Sequence, residues 1–323
     1  MWWLTASSHR VIPRVRVVNL PYKLTLYPHC SIILTVCLAG GSNTIYLSFW
    51  RAIRLAEQTG GEKNMKLKDR VALVAGGAGS MGSAVARLFA TEGAAICVAD
   101  MDKERAEGVA KEIADSGGRA IAAELDVCQS AQWDAALAAA EKEFGHLDLM
   151  ANLSGSNYRV SFDEQTEEMW RHMIDVNLTG CFIGIKAAVP AMRRAGRGVL
   201  LHVGSMASIR QGAGSPAYGV SKVGLVALTR SAAASYAADH IRCVLISPGH
   251  VDTNFIRGNA EHSPNDWATS IDNPDNYERR RASTPLARLC TPEDIAKTFL
   301  FAASDDASMI TGSMITVDGG AAL

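Results

Sequence analysis

Tyr218 and Lys222 stand four residues apart in a stretch with helical patterning, so both side chains project from one face and can act on one ligand. A phenol there can give or take a proton at an alkoxide oxygen, and a nearby lysine ammonium favours the phenolate that base catalysis needs. At ~4 Å and an effective dielectric of ~20 that attraction is about 4 kcal/mol. A Tyr-x-x-x-Lys pair also occurs as an exposed pair with no chemistry, so its surroundings decide.

An apolar run at 71–75 leads into Gly76-Gly77-Ala78-Gly79-Ser80-Met81-Gly82 and then a helical pattern. That arrangement turns backbone N–H groups and a helix N-terminus toward a pyrophosphate. Such a loop also serves as a plain tight turn. Eighteen residues after Gly82, Asp100 closes the next apolar run, where a carboxylate accepts hydrogen bonds from adenosine ribose hydroxyls and repels a 2′-phosphate. Met101 follows, not an arginine, so the position points to NAD over NADP; a solvated aspartate capping the following helix is the alternative.

The elements that must hold these residues follow a regular rhythm from Lys66 onward. Apolar runs at 71–75, 94–99, 120–125, 147–152, 198–203, 241–246 and 314–317 read as strands. Between them, 81–91, 102–116, 131–144, 177–194, 216–238 and 292–303 read as helices. Seven strands alternating with helices predict one α/β domain, a doubly wound parallel sheet covered on both faces. The segment 252–285, rich in Asn, Asp and Pro and carrying Phe255, His262, Trp267 and Tyr277, reads as a flap over the substrate or as a subunit contact.

Residues 1–64 differ from this body. They hold seven basic residues against Glu57 and Glu62, a net +5 that leaves −6 for residues 65–323 of the overall −1. An apolar stretch at 31–40 is too short to span a bilayer. The segment reads as a targeting sequence, as a structured extension, or as a mis-assigned start. The last reading is favoured, because Gly60-Gly61-Glu62-Lys63-Asn64 before Met65 can be encoded by a purine-rich ribosome-binding stretch.

No block of like charge in the body suggests nucleic acid, and no stretch suggests a membrane span, so a small neutral or mildly polar substrate is expected. Seven scattered cysteines without Cys-x-x-Cys spacing, and eight histidines without zinc-type spacing, predict a reducing, cytoplasmic setting and no metal. Asn152-Leu153-Ser154 and Asn177-Leu178-Thr179 match the glycosylation pattern but fall where buried backbone is expected. No Gly-x-Ser-x-Gly elbow is present, which disfavours a serine hydrolase.

From Met65 to Gly320 the sequence resembles the short-chain dehydrogenase/reductase family. The glycine motif aligns with Gly76, Ser80 and Gly82, the adenine contact with Asp126-Val127, and the strand-end motif with Asn152-Leu153-Ser154-Gly155. Asn177 matches the catalytic asparagine, and Ser205, thirteen residues before Tyr218, the catalytic serine. Pro248-Gly249, with Val251 and Thr253, resembles the segment that closes over the nicotinamide, and Val-Asp-Gly-Gly at 317–320 the usual ending.

The resemblance implies a Rossmann-type fold and an NAD-dependent interconversion of a secondary alcohol and a ketone, such as a cyclic alcohol, dihydrodiol or hydroxysteroid. Tyr218 is then the general acid/base, Lys222 binds the nicotinamide ribose, Ser205 bonds the substrate oxygen, and Asn177 positions a water. Gly79 and Met81 complete the cofactor contacts, and a homotetramer or homodimer is implied. Two positions depart from the family pattern: Ser80 stands for a glycine and Leu153 for an asparagine. A 3-oxoacyl carrier-protein reductase and a non-catalytic NAD-sensing module are the alternatives.

Overall fold

The structure is a computed structural model that describes residues 22–27, 31–38, 41–48, 65–210, 215–258 and 263–323. The chain divides into two units, Met1–Asn64 and Met65–Leu323. In the first, strands Tyr22–Tyr27, Ser31–Leu38 and Gly41–Ser48 pair antiparallel in that order. Residues 31–38 of the apolar stretch thus supply the central strand.

The second unit is a doubly wound α/β domain. Its strands are β1 (Val71–Ala75), β2 (Ala95–Asp100), β3 (Arg119–Glu124), β4 (Leu149–Asn152), β5 (Gly198–Val203), β6 (Ile241–Pro248) and β7 (Ser313–Val317). They pair in parallel in the order β7-β6-β5-β4-β1-β2-β3. The order reverses between β1 and β4, which opens a crevice at the carboxyl ends of the strands.

The helices are α1 (Ser80–Thr91), α2 (Lys103–Asp115), α3 (Ser130–Phe144), α4 (Glu167–Ile174), α5 (Gly180–Ala195), α6 (Pro216–Tyr236), α7 (Asn254–Arg257), α8 (Pro274–Ala282) and α9 (Pro292–Ala303). Alternate residues of β1 explain why both faces are covered. Ala72 and Val74 join a core with Phe89 of α1, Ile113 of α2 and Phe299 of α9. Leu73 and Ala75 join the opposite core with Trp133 of α3, Met192 of α5 and Ala232 of α6.

The expected strands and helices are all present; β1, β5 and α9 fall on their expected spans and the others have shifted ends. Strand β4 starts at Leu149, two residues later than expected; Asp148, just before it, is a buried carboxylate bound by Arg70 and Arg197, and its backbone still bonds Val71 and Val199 on the two neighbouring strands. The helix expected over 177–194 is longer and broken: α4 runs into a π-helical turn, Asp175–Thr179, and then α5. Helix α4 escaped the periodicity because Met173 is its only buried residue. The stretch Glu167–Ala195 is long and apolar enough to cross a membrane, yet Ile185, Ala188, Val189 and Met192 on it are buried in the domain core.

Candidate active site

The crevice holds a cavity of about 1310 Å³ lined from the ends of all the central strands. After β1, Gly76 turns with φ of +68°, and a Cβ there would lie 2.7 Å from the Ser154 amide nitrogen. At Gly82 a Cβ would lie 2.0 Å from the Gly76 carbonyl oxygen, so α1 can pack into this loop only with glycine at that position. Gly79 is the N-cap of α1 and no side chain caps the helix. Its first-turn amides therefore lack capping acceptors beside a cavity lined by Gly79, Ser80, Met81 and Gly82.

Ser80, the first departure from the family pattern, is accommodated: its Oγ faces the Asn254 amide, which donates to it at 3.4 Å. Leu153, the second, is 8% exposed and packs in the core shared with Val74 and Phe299, so an apolar contact replaces a polar tie.

Asp100 at the end of β2 accepts from the Ala78 amide at 2.9 Å and from the Asp102 amide at 3.1 Å. The helix cap itself is Asp102, which accepts from the Arg105 amide at 3.0 Å. Asp126 after β3 accepts from the Cys128 amide at 2.9 Å, and the Val127 carbonyl accepts from the buried Trp133 indole at 2.9 Å. Asn152 ends β4 and accepts from the Ser154 amide and hydroxyl at 3.0 and 2.6 Å.

On the other side of the crevice, Ser205 follows β5 and its Oγ accepts from the Ala207 amide at 3.1 Å. Tyr218 and Lys222 lie one turn apart in α6. The Lys222 ammonium is buried, donates to the Val203 carbonyl at 3.0 Å, and sits 5.6 Å from the centre of the Tyr218 ring. Asn177 lies in the π-helical turn and is fully buried. Its amide clamps the loop after β4, accepting from the Ser156 N–H and donating to the Ser156 carbonyl, both at 2.9 Å. A Cβ built on Gly155 would lie 3.3 Å from Asn177 Oδ1 and 3.9 Å from Lys222 Nζ, so the three share one neighbourhood. After β6, Pro248, Gly249, Val251 and Thr253 line the cavity, and Thr253 donates to the Val251 carbonyl at 3.3 Å.

Every site residue expected from the sequence lines this cavity except Asn152 and Asn177, which stand behind it as supports. Their burial also closes both glycosylation patterns to modification, as expected. Of the flap aromatics, Phe255 lines the cavity, Trp267 is 67% exposed, Tyr277 is not on the wall, and His262 lies outside the described residues.

Among the polar wall residues that sequence reasoning missed are Arg159, His250, Arg279 and Arg280. His250 directly follows Pro248-Gly249, and the run of three arginines at 279–281 in the flap was the available signal. Burial lowers Arg159 to about 10, and burial with the neighbouring Arg280 and Arg279 lowers His250 to about 4.

A family model described as enoyl-(acyl carrier protein) reductase matches residues 76–322. The chain belongs to the short-chain dehydrogenase/reductase family. It is 35% identical over 255 residues to a 2,5-dichloro-2,5-cyclohexadiene-1,4-diol dehydrogenase of Sphingobium indicum, covering 79% of this chain and 97% of that one. It is 36% identical over 253 residues to a cis-4-hydroxycyclohexanecarboxylate dehydrogenase of Sinomonas cyclohexanicum, covering 78% and 96%. Among solved structures, a putative short-chain alcohol dehydrogenase from Sinorhizobium meliloti superposes with a TM-score of 0.73 at 29% identity, covering 80% of this chain and 98% of that one. This short-chain dehydrogenase/reductase is therefore an oxidoreductase acting on CH–OH groups of small molecules, with a nicotinamide cofactor as the family's general partner.

Proposed function

We propose that the enzyme interconverts a ring-borne secondary alcohol and its ketone with NAD. The observation that carries this reading is the placement of Lys222, pinned to the Val203 carbonyl beside Tyr218, in one cavity with Ser205 and the glycine loop. The uncapped start of α1 suits a pyrophosphate, and Asp100 suits a free ribose over a 2′-phosphate. Bound there, NAD supplies the hydride acceptor.

Tyr218 takes the proton from the substrate hydroxyl as the carbonyl forms and returns it in the reverse direction. Lys222, a buried cation close to the ring, favours the phenolate and binds the nicotinamide ribose. Ser205 holds the substrate oxygen through its hydroxyl proton, since its oxygen already accepts from Ala207. Asn177 holds Ser156 in place and supports a water near Lys222. The hydroxyl-bearing rings named for the two relatives support a cyclic substrate.

We place the enzyme in the cytoplasm, in keeping with free thiols at Cys97, Cys181, Cys243 and Cys290, all buried. Phe182 on α5 and Val220 and Val223 on α6, 47%, 49% and 44% exposed, support a homodimer or homotetramer through these helices, which sedimentation would test.

The full chain incubated with NAD and a panel of cyclic secondary alcohols is expected to produce reduced nicotinamide. Tyr218→Phe should lower kcat by about 10²–10⁴-fold while NAD still binds. Undiminished turnover in that variant would remove Tyr218 from the mechanism, and faster turnover with NADP would overturn the cofactor assignment.

A further inference from the structure

Carboxylates outnumber cations at one end of the cavity, where Arg105 stands beside Asp102 and donates to the Ala78 carbonyl, whereas guanidiniums gather at the other. Asp100, Asp102 and Asp126 gather where β2 and β3 finish, at the adenosine end. Arg159, Arg279 and Arg280 line the same cavity, and Tyr218 and Arg280 both lie near Arg159.

These guanidiniums have no carboxylate partner among the described residues, whereas their neighbours on the same segment do. Arg257 bridges Asp252 and Asp272, and Arg281 pairs with Glu278, so those acids are already engaged. Arg159 bonds only neutral acceptors: Nη1 donates to Ser263 Oγ at 2.8 Å, and to the Asn157 and Pro264 carbonyls at 3.2 and 3.3 Å. Its Nη2 donates to the Phe255 carbonyl at 2.5 Å, and its guanidinium lies 5.0 Å from the centre of the Phe255 ring. Arg280 donates to the Thr269 carbonyl at 3.0 Å. Arg159 also holds left-handed backbone, φ of +48°, the kind of strain that persists where surroundings impose it.

Arg159 and Arg280 are partly buried cations without anions, a costly arrangement, and a guanidinium fork matches the planar oxygens of a carboxylate. His250, kept neutral by burial and by these arginines, adds a ring nitrogen without adding charge. We infer that the Tyr218-side end of the cavity, through Arg279 and Arg280 with Arg159 behind them, binds a carboxylate or sulfonate carried by the substrate away from its reacting hydroxyl. This assignment rests on the alcohol-oxidising reading, because it names a second part of the same substrate.

The test is calorimetric titration of the full chain, in saturating NAD, with cyclohexanecarboxylate, cyclohexanecarboxamide and acetate. The carboxylate is expected to bind at least about tenfold tighter than the amide, equivalent to ~1.4 kcal/mol. Acetate, which carries the charge without the ring, should bind at least about tenfold more weakly than the ring acid. The carboxylate-over-amide ratio should fall toward one in Arg280→Gln. Arg279→Gln, at an exposed position, should reduce the ratio without burdening the fold.

Equal affinity for acid and amide, absence of binding by either, acetate as tight as the ring acid, or an undiminished ratio in both variants would overturn the assignment. Turnover of ring alcohols without any preference for the acid would remove the anion site and leave the reaction. Acid preference without alcohol turnover would remove the reaction and leave the site.

Discussion

Asp100 accepts a hydrogen bond from the Ala78 amide across 2.9 Å, so the carboxylate that ends β2 also fixes the glycine loop that follows β1. One side chain thus shapes the pyrophosphate loop and, in the proposed reading, selects the ribose. Asp100→Ala should raise the KM for NAD about tenfold, the equivalent of ~1.4 kcal/mol, and raise the NADP-to-NAD ratio of kcat/KM. Asp100→Asn keeps an acceptor for Ala78 and should restore loop stability while still shifting the cofactor ratio. An unchanged ratio in both variants would show that Asp100 serves the loop alone.

At the opposite, amino-terminal edge of the sheet, Asp148 is fully buried and accepts from Arg70, from the Val71 amide at 2.9 Å and from Arg197 at 3.0 Å. Arg70 is itself buried, so removing the carboxylate strands a cation and an amide. Asp148→Ala should cost about 3–5 kcal/mol in urea unfolding. Because this edge lies away from the cavity, the protein that remains folded should keep its kcat/KM; a selective loss of activity would contradict a purely structural role.

His202 on β5 is fully buried, and neither ring nitrogen has a hydrogen-bond partner among the described residues. Burial, aided by the nearby Lys222 charge, lowers it from 6.5 to about 4. The unfolded chain therefore takes up the proton first as pH falls. Its contribution is intact above about pH 6.5 and is lost progressively as pH falls from there toward 4. Between pH 7 and pH 5 this one group should cost about 2 kcal/mol of unfolding free energy. His202→Leu should flatten that slope, as read from urea midpoints at the two pH values; an equal slope in the variant would assign the acid sensitivity to other groups.

The alternation of strands and helices, the glycine loop and the Tyr218–Lys222 pair were legible because each is local. Period, turn chemistry and helix spacing act over a few residues, and β1 and β5 fall on their predicted spans. Legibility failed where locality failed. Helix α4 buries only Met173, too little to mark a face, and the π-helical turn that carries Asn177 depends on the loop it clamps at Ser156. Arg159 and Arg280 are separated by more than a hundred residues and share one wall only because the loop after β4 and the segment after β6 end on the same side of the sheet.

The sequence by itself determined the kind of fold, the order of its elements and the residue types available for proton transfer and dinucleotide binding, since backbone propensity and side-chain spacing are written in adjacent positions. Only the tertiary structure decided that the Asp100 carboxylate fixes the glycine loop, that Ser80 meets Asn254, and that Arg159, Arg279 and Arg280 line one cavity with Tyr218. Those facts depend on which strand ends become neighbours, and that is settled by how the whole sheet packs its two cores.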